Sequence, residues 1–302
     1  MSGEHTGLAG LGAASAGGVT LPLMERAVEE AVAAAGFRAV SARAIGSGAA
    51  GSVWRVLTGG GSVVVKVSEG ADLRAEGRSL GYLREVSALP VPRVHHAAER
   101  VLVMEDMPGT AGGAGAEEHA AGLLAALHGV TGPRYGLGFD NTIGPLRQEN
   151  GWLDSWPAFF RERRLMPMAL AAAREGAFPV ALADALEHLG ARLGELVPEG
   201  PAASLIHGDV WSGNVLSVGG VVTAFVDPAP YHAHAEVELA FMTLFSTFGP
   251  RFFEAYQRVR PIDPEFWAVR RDVYNLYPLL VHARLFRGHY VAQLESTVRR
   301  FL

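Results

Sequence analysis

The stretch that decides the fold runs from Leu205 to Pro228. It begins Leu205-Ile-His207-Gly208-Asp209-Val-Trp211-Ser-Gly-Asn214-Val-Leu and, after a Gly219-Gly220 turn, ends Val-Val-Thr-Ala-Phe-Val-Asp227-Pro228. The apolar start predicts a strand that delivers His207 and Asp209 to a loop. The β-rich runs on either side of the two glycines predict a hairpin that returns Asp227 to the same place. We therefore expect Asp209, Asn214 and Asp227 to converge.

Three converging oxygen-bearing side chains of this kind are typical of a metal-phosphate site. In kinase-type phosphoryl transfer, one Asp accepts the proton of the attacking hydroxyl, while an Asn and a second Asp hold Mg²⁺ ions that bridge the nucleotide phosphates. Asp209, Asn214 and Asp227 have the chemistry and the order for these roles. Any one of them could instead cap a turn, as Asp and Asn often do. The complete set favours the metal-phosphate site.

Composition narrows the classes of partner and chemistry. The chain has 302 residues, 49% of them hydrophobic, with a formal net charge of −5. It can therefore build a substantial core, and neither nucleic acid nor an anionic membrane is an expected partner. The absence of cysteine excludes disulfides, thiolate catalysis and cysteine zinc sites. With no apolar run of membrane-spanning length and no secretory signal, we expect a soluble, cytoplasmic protein. The sequence predicts no particular oligomeric state.

Lys66 is the only lysine, and the other 25 basic residues are arginines. An arginine fork is not equivalent to a compact ammonium, so a lone lysine inside the apolar strand Ser62–Val67 suggests a site where arginine would not fit. Chance composition is the alternative. The helix that follows offers Glu76 as the partner that would hold Lys66 against the phosphates. Glu85 is the rival partner, and Glu76 is preferred.

Gly46, Gly48 and Gly51 precede a β-rich run. A dinucleotide-binding fingerprint would continue into a helix, whereas this run predicts a strand-turn-strand. Such a turn covers nucleotide phosphates because glycines let backbone amides approach the oxygens. A plain glycine-rich hairpin remains an equal alternative.

The domain organisation is predicted as two lobes. Residues 1–20 read as a flexible tail, 21–104 as a nucleotide-binding N-lobe, 105–109 as a hinge, and 110–302 as a catalytic and substrate-binding C-lobe. If 105–109 is a hinge, backbone groups from Glu105 to Met107 meet the adenine edge and Met104 packs nearby. An ordinary edge strand is the alternative.

Several charged residues are candidates for substrate or metal binding. The segment around Trp156 mixes aromatic and charged side chains, and could be no more than an amphipathic helix. Asp154 and Glu162 could equally bind an amine, or Arg161 a carboxylate. His232 and His234 resemble metal ligands, but no third ligand lies nearby in the sequence.

The chain resembles the fructosamine kinase family, also called ketosamine kinases, which belongs with the aminoglycoside phosphotransferases in the protein-kinase-like fold. The resemblance covers about residues 22–302 and is most specific in its second half. The matching segments are His207 to Asn214, Asp227-Pro228-Ala229 with Tyr231, Asn141 to Gly144, Asp154-Ser155-Trp156, Phe159 to Leu165, and the region from Leu276 to Val291.

The resemblance implies an α+β bilobal fold, with an N-lobe antiparallel sheet plus helix and a mostly helical C-lobe. It implies an ATP- and Mg²⁺-dependent kinase acting on the sugar of ketosamines, the adducts of sugars with amines. By position, Asp209 would be the base, Asn214 and Asp227 the Mg²⁺ ligands, Lys66 and Glu76 the phosphate-binding pair, and Trp211 part of the sugar site.

Three features depart from the family pattern: the glycine-rich turn, Glu238 where an aspartate is expected, and the histidines at 232 and 234. Two other functions remain open. A kinase for an aminoglycoside or an amino alcohol would need a markedly acidic pocket, against which the arginines between 161 and 164 argue. A pseudokinase would bind nucleotide without chemistry, although Lys66, Asp209, Asn214 and Asp227 are all present.

Overall fold

The computed structural model describes residues 21–48, 51–113 and 115–302. The predicted tail, 1–20, lies outside the described residues, as does the tip of the glycine turn, 49–50. Helix α1 (Leu21–Ala34) is the first described element. It ends before Gly36, which adopts a φ of +83°, and the next N–H, of Phe37, donates to the Val32 carbonyl at 3.0 Å.

Five antiparallel strands form the main sheet, in the spatial order β1-β2-β3-β5-β4. Their bounds are Ala39–Gly48 for β1, Gly51–Thr58 for β2, Gly61–Val67 for β3, Val94–Ala97 for β4 and Val101–Glu105 for β5. The central position of β3 places Lys66 between Val53 of β2 and Leu102 of β5. The lone lysine therefore lies in the middle of the sheet.

The two faces of the sheet have different partners, because successive side chains of a strand point to opposite sides. Val63 and Val65 of β3 pack with Val32 and its neighbours on α1, where they form a small apolar core. Val64 and Lys66 point the other way, into a cleft between the sheet and the rest of the chain.

Helix α2 (Leu73–Val86) lies between β3 and β4 in the sequence. The Asp72 side chain caps its first turn. At Gly77 the helix is so close to the sheet that an added Cβ would lie 2.6 Å from the Cβ of Ala97. This close packing brings the preceding residue, Glu76, to Lys66.

Most of the chain beyond β5 is helical. The helices are α3 (Glu117–Leu127), α4 (Trp156–Phe159), α5 (Met166–Arg174), α6 (Val180–Ala191), α7 (Leu193–Leu196), α8 (Glu236–Leu244), α9 (Pro250–Val259), α10 (Arg271–Phe286) and α11 (His289–Arg299). A π-helical turn, Phe160–Leu165, joins α4 to α5, and another, Phe266–Arg270, leads into α10. Buried aromatic side chains fill the centre, where Trp156 donates its indole N–H to the Tyr274 hydroxyl at 3.0 Å.

Short antiparallel strand pairs lie between these helices. Strands β6 (Thr110–Ala111), β10 (Val215–Val218) and β11 (Val221–Phe225) form one small sheet, β7 (Asn141–Ile143) pairs with β8 (Leu146–Gln148), and β9 (Ser204–Ile206) pairs with β12 (Tyr231–Ala233). Strands β10 and β11 are the hairpin that the sequence predicts. Gly219 and Gly220 form its turn with φ values of +57° and +81°.

The architecture is α+β, with an antiparallel sheet first and a largely helical part after it, as predicted. Within the described ranges, no helix combines the length and the apolar character needed to cross a membrane.

Candidate active site

Strand β9 delivers Asp209 to the site. The chain leaves the strand at Ile206 and turns sharply at Gly208, which has a φ of +86°. A Cβ at this position would lie 2.1 Å from the Ala229 carbonyl oxygen, so only glycine fits. The Ala229 N–H also donates to the His207 carbonyl at 2.9 Å. The loop before Asp209 is therefore packed against the segment that follows Asp227.

Glu238 on α8 also holds this loop in place. Its buried carboxylate accepts the backbone N–H of Gly208 at 2.7 Å and of His207 at 3.3 Å, and it lies 2.9 Å from Nε2 of His128. His128 Nδ1 in turn lies 2.7 Å from the Tyr256 hydroxyl. Burial alone would raise the pKa of Glu238, but the hydrogen bond and charge of His128 hold it below the usual range. Glu238, which stands where the family pattern has an aspartate, therefore holds the Asp209 loop in place.

Asp209 and Asn214 form the centre of the site. The Asn214 amide Nδ2 donates to Asp209 Oδ2 at 3.0 Å and to the Asp209 carbonyl at 2.9 Å. Asp209 is only 5% exposed, and its other oxygen, Oδ1, is buried without a hydrogen-bond partner. Burial raises the pKa of Asp209 well above its usual range, and the charge of Asp227 raises it further. An unpartnered carboxylate oxygen with raised basicity can accept a proton from a bound hydroxyl group.

Asp227 reaches the site from the end of β11. It adopts a φ of +56°, a left-handed conformation that is unusual for a residue other than glycine. The preceding Val226 N–H donates to the Asn214 carbonyl at 3.0 Å, which ties the two candidate metal ligands together through the backbone. The strained backbone directs the Asp227 carboxylate towards Lys66.

Lys66 joins the sheet to this site. Its Nζ lies 2.7 Å from Glu76 Oε1 and also contacts Asp227 Oδ1. Burial would lower the pKa of the Lys66 ammonium, but the charges of Asp227 and Glu76 together raise it, so Lys66 is a cation. Burial raises the pKa of Glu76 to about 7, against the attraction of Lys66. The predicted pairing of Lys66 with Glu76, rather than with Glu85, is present in the structure.

The carboxylates of this cluster outnumber its single ammonium, so the cluster can stabilise a bound cation. Two carboxylates, Glu76 and Asp227, share the single Lys66 ammonium, and Asp209 adds a third carboxylate nearby. The Asn214 side-chain nitrogen Nδ2 donates to Asp209, which leaves the side-chain oxygen Oδ1 of Asn214 for a ligand. Within residues 21–48, 51–113 and 115–302, no group of three His, Asp or Glu side chains could hold a metal alone. Two oxygen ligands fit Mg²⁺, which usually binds one or two protein groups together with phosphate and water.

The glycine turn belongs to a β-hairpin and not to a strand-to-helix turn. Gly46 pairs with Val53, and Gly48 pairs with Gly51. Gly51 has a φ of +123°, and a Cβ there would lie 2.0 Å from the Val67 carbonyl oxygen. This geometry excludes the dinucleotide-binding fingerprint and leaves a β1–β2 hairpin next to Lys66.

A cleft of about 410 Å³ lies between the main sheet and the β10–β11 hairpin. Residues from both sides line it, among them Gly46, Lys66, Met104, Glu105, Met107, Asn214 and Asp227. Met104 is 4% exposed, at the end of the cleft where β5 stops. The sequence-predicted nucleotide residues of the sheet and the predicted metal ligands therefore share one cleft.

A second, smaller cavity of about 30 Å³ adjoins Asp209. Its walls are mostly apolar, and its polar groups include Asp209, Tyr277 and His282. Burial lowers the pKa of His282 to about 4, and its Nδ1 lies 2.8 Å from the Pro278 carbonyl, so the ring is neutral. A cavity of this size has room for roughly two water molecules, or for a similarly small part of a ligand.

The three residues predicted to bind substrate occupy different places. The Trp211 ring folds over Gly213, where an added Cβ would lie 2.1 Å from the ring, and its indole N–H is buried without a partner. Asp154 is exposed and accepts from Arg134 Nε at 2.6 Å. Arg161 packs against Gly190 of α6. None of the three residues lines the cleft or the cavity beside Asp209.

The two histidines that resemble metal ligands have protein partners. His232 Nε2 lies 3.0 Å from the Tyr82 hydroxyl, and His234 Nδ1 lies 2.8 Å from the Tyr274 hydroxyl. Burial lowers the pKa of both rings, for His234 to about 3. Each histidine is therefore neutral and engaged in a hydrogen bond.

Comparisons with known proteins identify relatives of the chain. The family model described as fructosamine kinase matches residues 23–302. A protein named probable ketoamine kinase from Synechocystis sp. is 33% identical over 280 residues, which cover 88% of this chain and 92% of the relative. A crystal structure assigned as a fructosamine-3-kinase from Thermobifida fusca superposes with a TM-score of 0.81 at 30% identity, covering 89% of this chain and 96% of that one.

A more distant structure defines the wider fold. An aminoglycoside phosphotransferase superposes with a TM-score of 0.64 at 18% identity, covering 93% of this chain and 99% of that one. At this identity the likeness concerns the fold alone. It agrees with the sheet-then-helices architecture described above.

Proposed function

The chain belongs to the fructosamine kinase family, and on that premise we propose that it transfers the γ-phosphoryl group of ATP to a sugar hydroxyl of a ketosamine. One observation carries the proposal. The Asp209–Asn214 hydrogen bond joins the small cavity beside Asp209 to the cleft that contains Asn214, Asp227 and Lys66. A base with an unpartnered oxygen thus stands between the cleft proposed for the phosphates and a small cavity with room for only part of an acceptor.

On the nucleotide side, the proposal assigns the phosphates to Lys66 and to the hairpin that contains Gly46, Gly48 and Gly51. Lys66 is held as a buried cation by Glu76 and Asp227, which suits it to bind anionic oxygens. The adenine would lie towards the end of β5, beside Met104, Glu105 and Met107, which line the cleft. These assignments follow kinase-type nucleotide binding.

Asn214 and Asp227 would hold Mg²⁺. When bound, the ion would neutralise phosphate charge and orient the γ-phosphoryl group. The net negative charge of the cluster and the side-chain oxygen Oδ1 of Asn214 support this assignment.

On the acceptor side, Asp209 would accept the proton of the sugar hydroxyl as the hydroxyl oxygen bonds to phosphorus and ADP leaves. Its buried, unpartnered Oδ1 and its raised pKa support a role as base. Trp211 would line the sugar site, because the C–H face of a sugar packs on an indole and the free indole N–H can donate to a hydroxyl. The proposal places no acceptor contact on Asp154, which is paired with Arg134, or on Arg161, which packs against Gly190 of α6.

The surroundings of Asp209 bear on the alternative acceptor. A polycationic aminoglycoside calls for a markedly acidic pocket, whereas the walls here are mostly apolar and the second carboxylate, Glu238, is already bonded to the Asp209 loop. The presence of Lys66, Asp209, Asn214 and Asp227 in one arrangement argues against a pseudokinase.

A panel of acceptors tests the proposal. Purified protein with MgATP is offered ribulose- and fructose-derived lysine adducts, an aminoglycoside and choline, and ADP and phosphorylated product are both measured. We expect product with at least one ketosamine, in equal amount to ADP. Product with only the aminoglycoside or choline contradicts the substrate class, and ATP binding without transfer to any acceptor supports the pseudokinase.

A further inference from the structure

Helix α2 carries Glu76, so its position determines where Lys66 is held. On one side the helix packs closely on the main sheet at Gly77. On the other it faces the later part of the chain, near strand β7. The contacts on this second side decide whether the Lys66–Glu76 pair keeps a fixed place relative to Asp209.

Tyr82 makes one of these contacts. Its hydroxyl lies 3.0 Å from Nε2 of His232 on β12. Nδ1 of His232 lies 3.1 Å from the Ala203 carbonyl oxygen, which can only accept a hydrogen bond. Nδ1 therefore carries the hydrogen of the neutral ring, and Nε2 accepts from the Tyr82 hydroxyl.

The His232 ring is held tightly in place. The residue is 4% exposed. An added Cβ on Gly132 would lie 2.8 Å from the ring, and the Trp152 ring centroid is 5.9 Å away. The His232 backbone pairs in both directions with Gly136, at 2.8 and 2.9 Å. His232 is thus a fixed point to which Tyr82 is attached.

His232 also belongs to the strands that carry the catalytic candidates. Strand β12 follows Asp227 by a few residues and pairs with β9, which leads directly to Asp209. Ala203, which accepts from the ring, immediately precedes β9. The His232 imidazole therefore connects helix α2 to strand β12, which follows Asp227, and to Ala203, which precedes the strand that leads to Asp209.

A second contact lies one turn earlier on the same face of α2. The Arg78 guanidinium carbon lies 4.0 Å from the centroid of the Phe139 ring. The Tyr82 ring meets the same Phe139 edge to face, with centroids 5.8 Å apart. This packing persists without the Tyr82 hydroxyl, so removing the hydroxyl isolates the hydrogen bond to His232.

We propose that Tyr82 and His232 are positioning residues, whose hydrogen bond fixes helix α2 against the β9–β12 pair and so holds Glu76 and Lys66 in register with Asp209. The inference rests on the proposed function for its kinetic readout. It concerns residues that touch neither nucleotide nor acceptor and that act through Glu76.

Tyr82→Phe tests the proposal. We expect kcat/KM for MgATP to fall by about 2- to 10-fold, the change that follows loss of one ordinary hydrogen bond. The fall should come through KM for MgATP, with KM for the acceptor unchanged. His232→Leu should have the same effect, and His232→Gln, which can still accept from Tyr82, should restore much of the loss.

The matched control is Tyr274→Phe. It also removes a hydrogen bond between a tyrosine and a histidine, because the Tyr274 hydroxyl lies 2.8 Å from Nδ1 of His234. Tyr274 lies on α10, far from α2 in the sequence, and its hydroxyl also accepts from the Trp156 indole in the helical core. It should lower the thermal midpoint without changing KM for MgATP. An equal KM change in this control would overturn the proposal, because general destabilisation would then explain both variants.

Combination with Glu76→Gln shows whether Tyr82 acts through Glu76. In that background, Tyr82→Phe should cause little further change, whereas an independent role predicts that the two effects multiply. Equilibrium binding of MgATP and hydrogen exchange of the α2 amides give readouts that need no acceptor. If the wild-type protein phosphorylates no ketosamine but Tyr82→Phe still weakens MgATP binding, the proposed function fails and the positioning role stands. If Tyr82→Phe changes neither MgATP binding nor the hydrogen exchange of α2, the positioning role fails.

Discussion

Lys66→Arg keeps the positive charge of the lone lysine and changes only its shape. Lys66 lies between Val53 and Leu102 in the middle of the sheet and is 7% exposed. Its ammonium contacts both Glu76 and Asp227 from a single atom. A guanidinium is longer and planar, so it cannot occupy this point without losing a contact.

The expected magnitude follows from the contact that is lost. A hydrogen bond to a charged group contributes about 1.5 to 3 kcal/mol, which corresponds to roughly 10- to 150-fold in kcat/KM for MgATP. Both partners of Lys66 are buried or half-buried, so solvent offers little replacement for the contact.

Steady-state kinetics with varied MgATP measure this effect, and thermal unfolding shows whether the variant is folded. Arg174→Lys, an exposed change of the same two residue types at the end of α5, is the matched control and should leave the kinetics unchanged. Kinetics of Lys66→Arg equal to wild type would refute the reasoning, because the lone lysine would then be incidental to ATP use.

Three further predictions concern the Asp209 loop. Since the pKa of Asp209 is raised and only its ionised form can accept a proton, kcat/KM should rise with pH through a limb above the ordinary aspartate range, which a pH-rate profile measures; a flat profile contradicts this. Glu238→Gln should lower stability by about 1–3 kcal/mol and lower kcat, because it removes the charge bonded to His128 and to the loop; unchanged urea unfolding and turnover would count against this. Gly208→Ala should yield little folded protein on size-exclusion chromatography, since its Cβ would meet the Ala229 carbonyl at 2.1 Å, and normal folding would contradict it.

The sequence predicted those parts of the site that local patterns determine. The strand before Asp209, the Gly219-Gly220 hairpin and the apolar strand around Lys66 each follow from alternation and turn residues, and the structure contains all three. The pairing of Lys66 with Glu76 could also be predicted, since both residues lie in neighbouring elements.

Other features depend on contacts between distant parts of the chain. His128 and Glu238 lie 110 residues apart in sequence, and no local pattern indicates that they meet. The sequence marked Glu238 only as a glutamate at a position where the family pattern has an aspartate. The partners of Asp154 and Arg161 are likewise set by tertiary packing, with Arg134 and Gly190 respectively. The pairing of His232 with Tyr82 spans 150 residues and could not be read from either segment alone.

The assignment of Asp209 as the base is tested most directly by comparing the turnover of Asp209→Asn with that of Asp184→Asn. The second variant is an exposed change of the same type on α6. Both are assayed with MgATP and the best ketosamine, with the phosphorylated product quantified. Asp209→Asn should lose about 10²- to 10⁴-fold in kcat, the usual contribution of a positioned acid or base, while Asp184→Asn matches wild type. Near-normal phosphorylation by Asp209→Asn would contradict the assignment of Asp209 as the base.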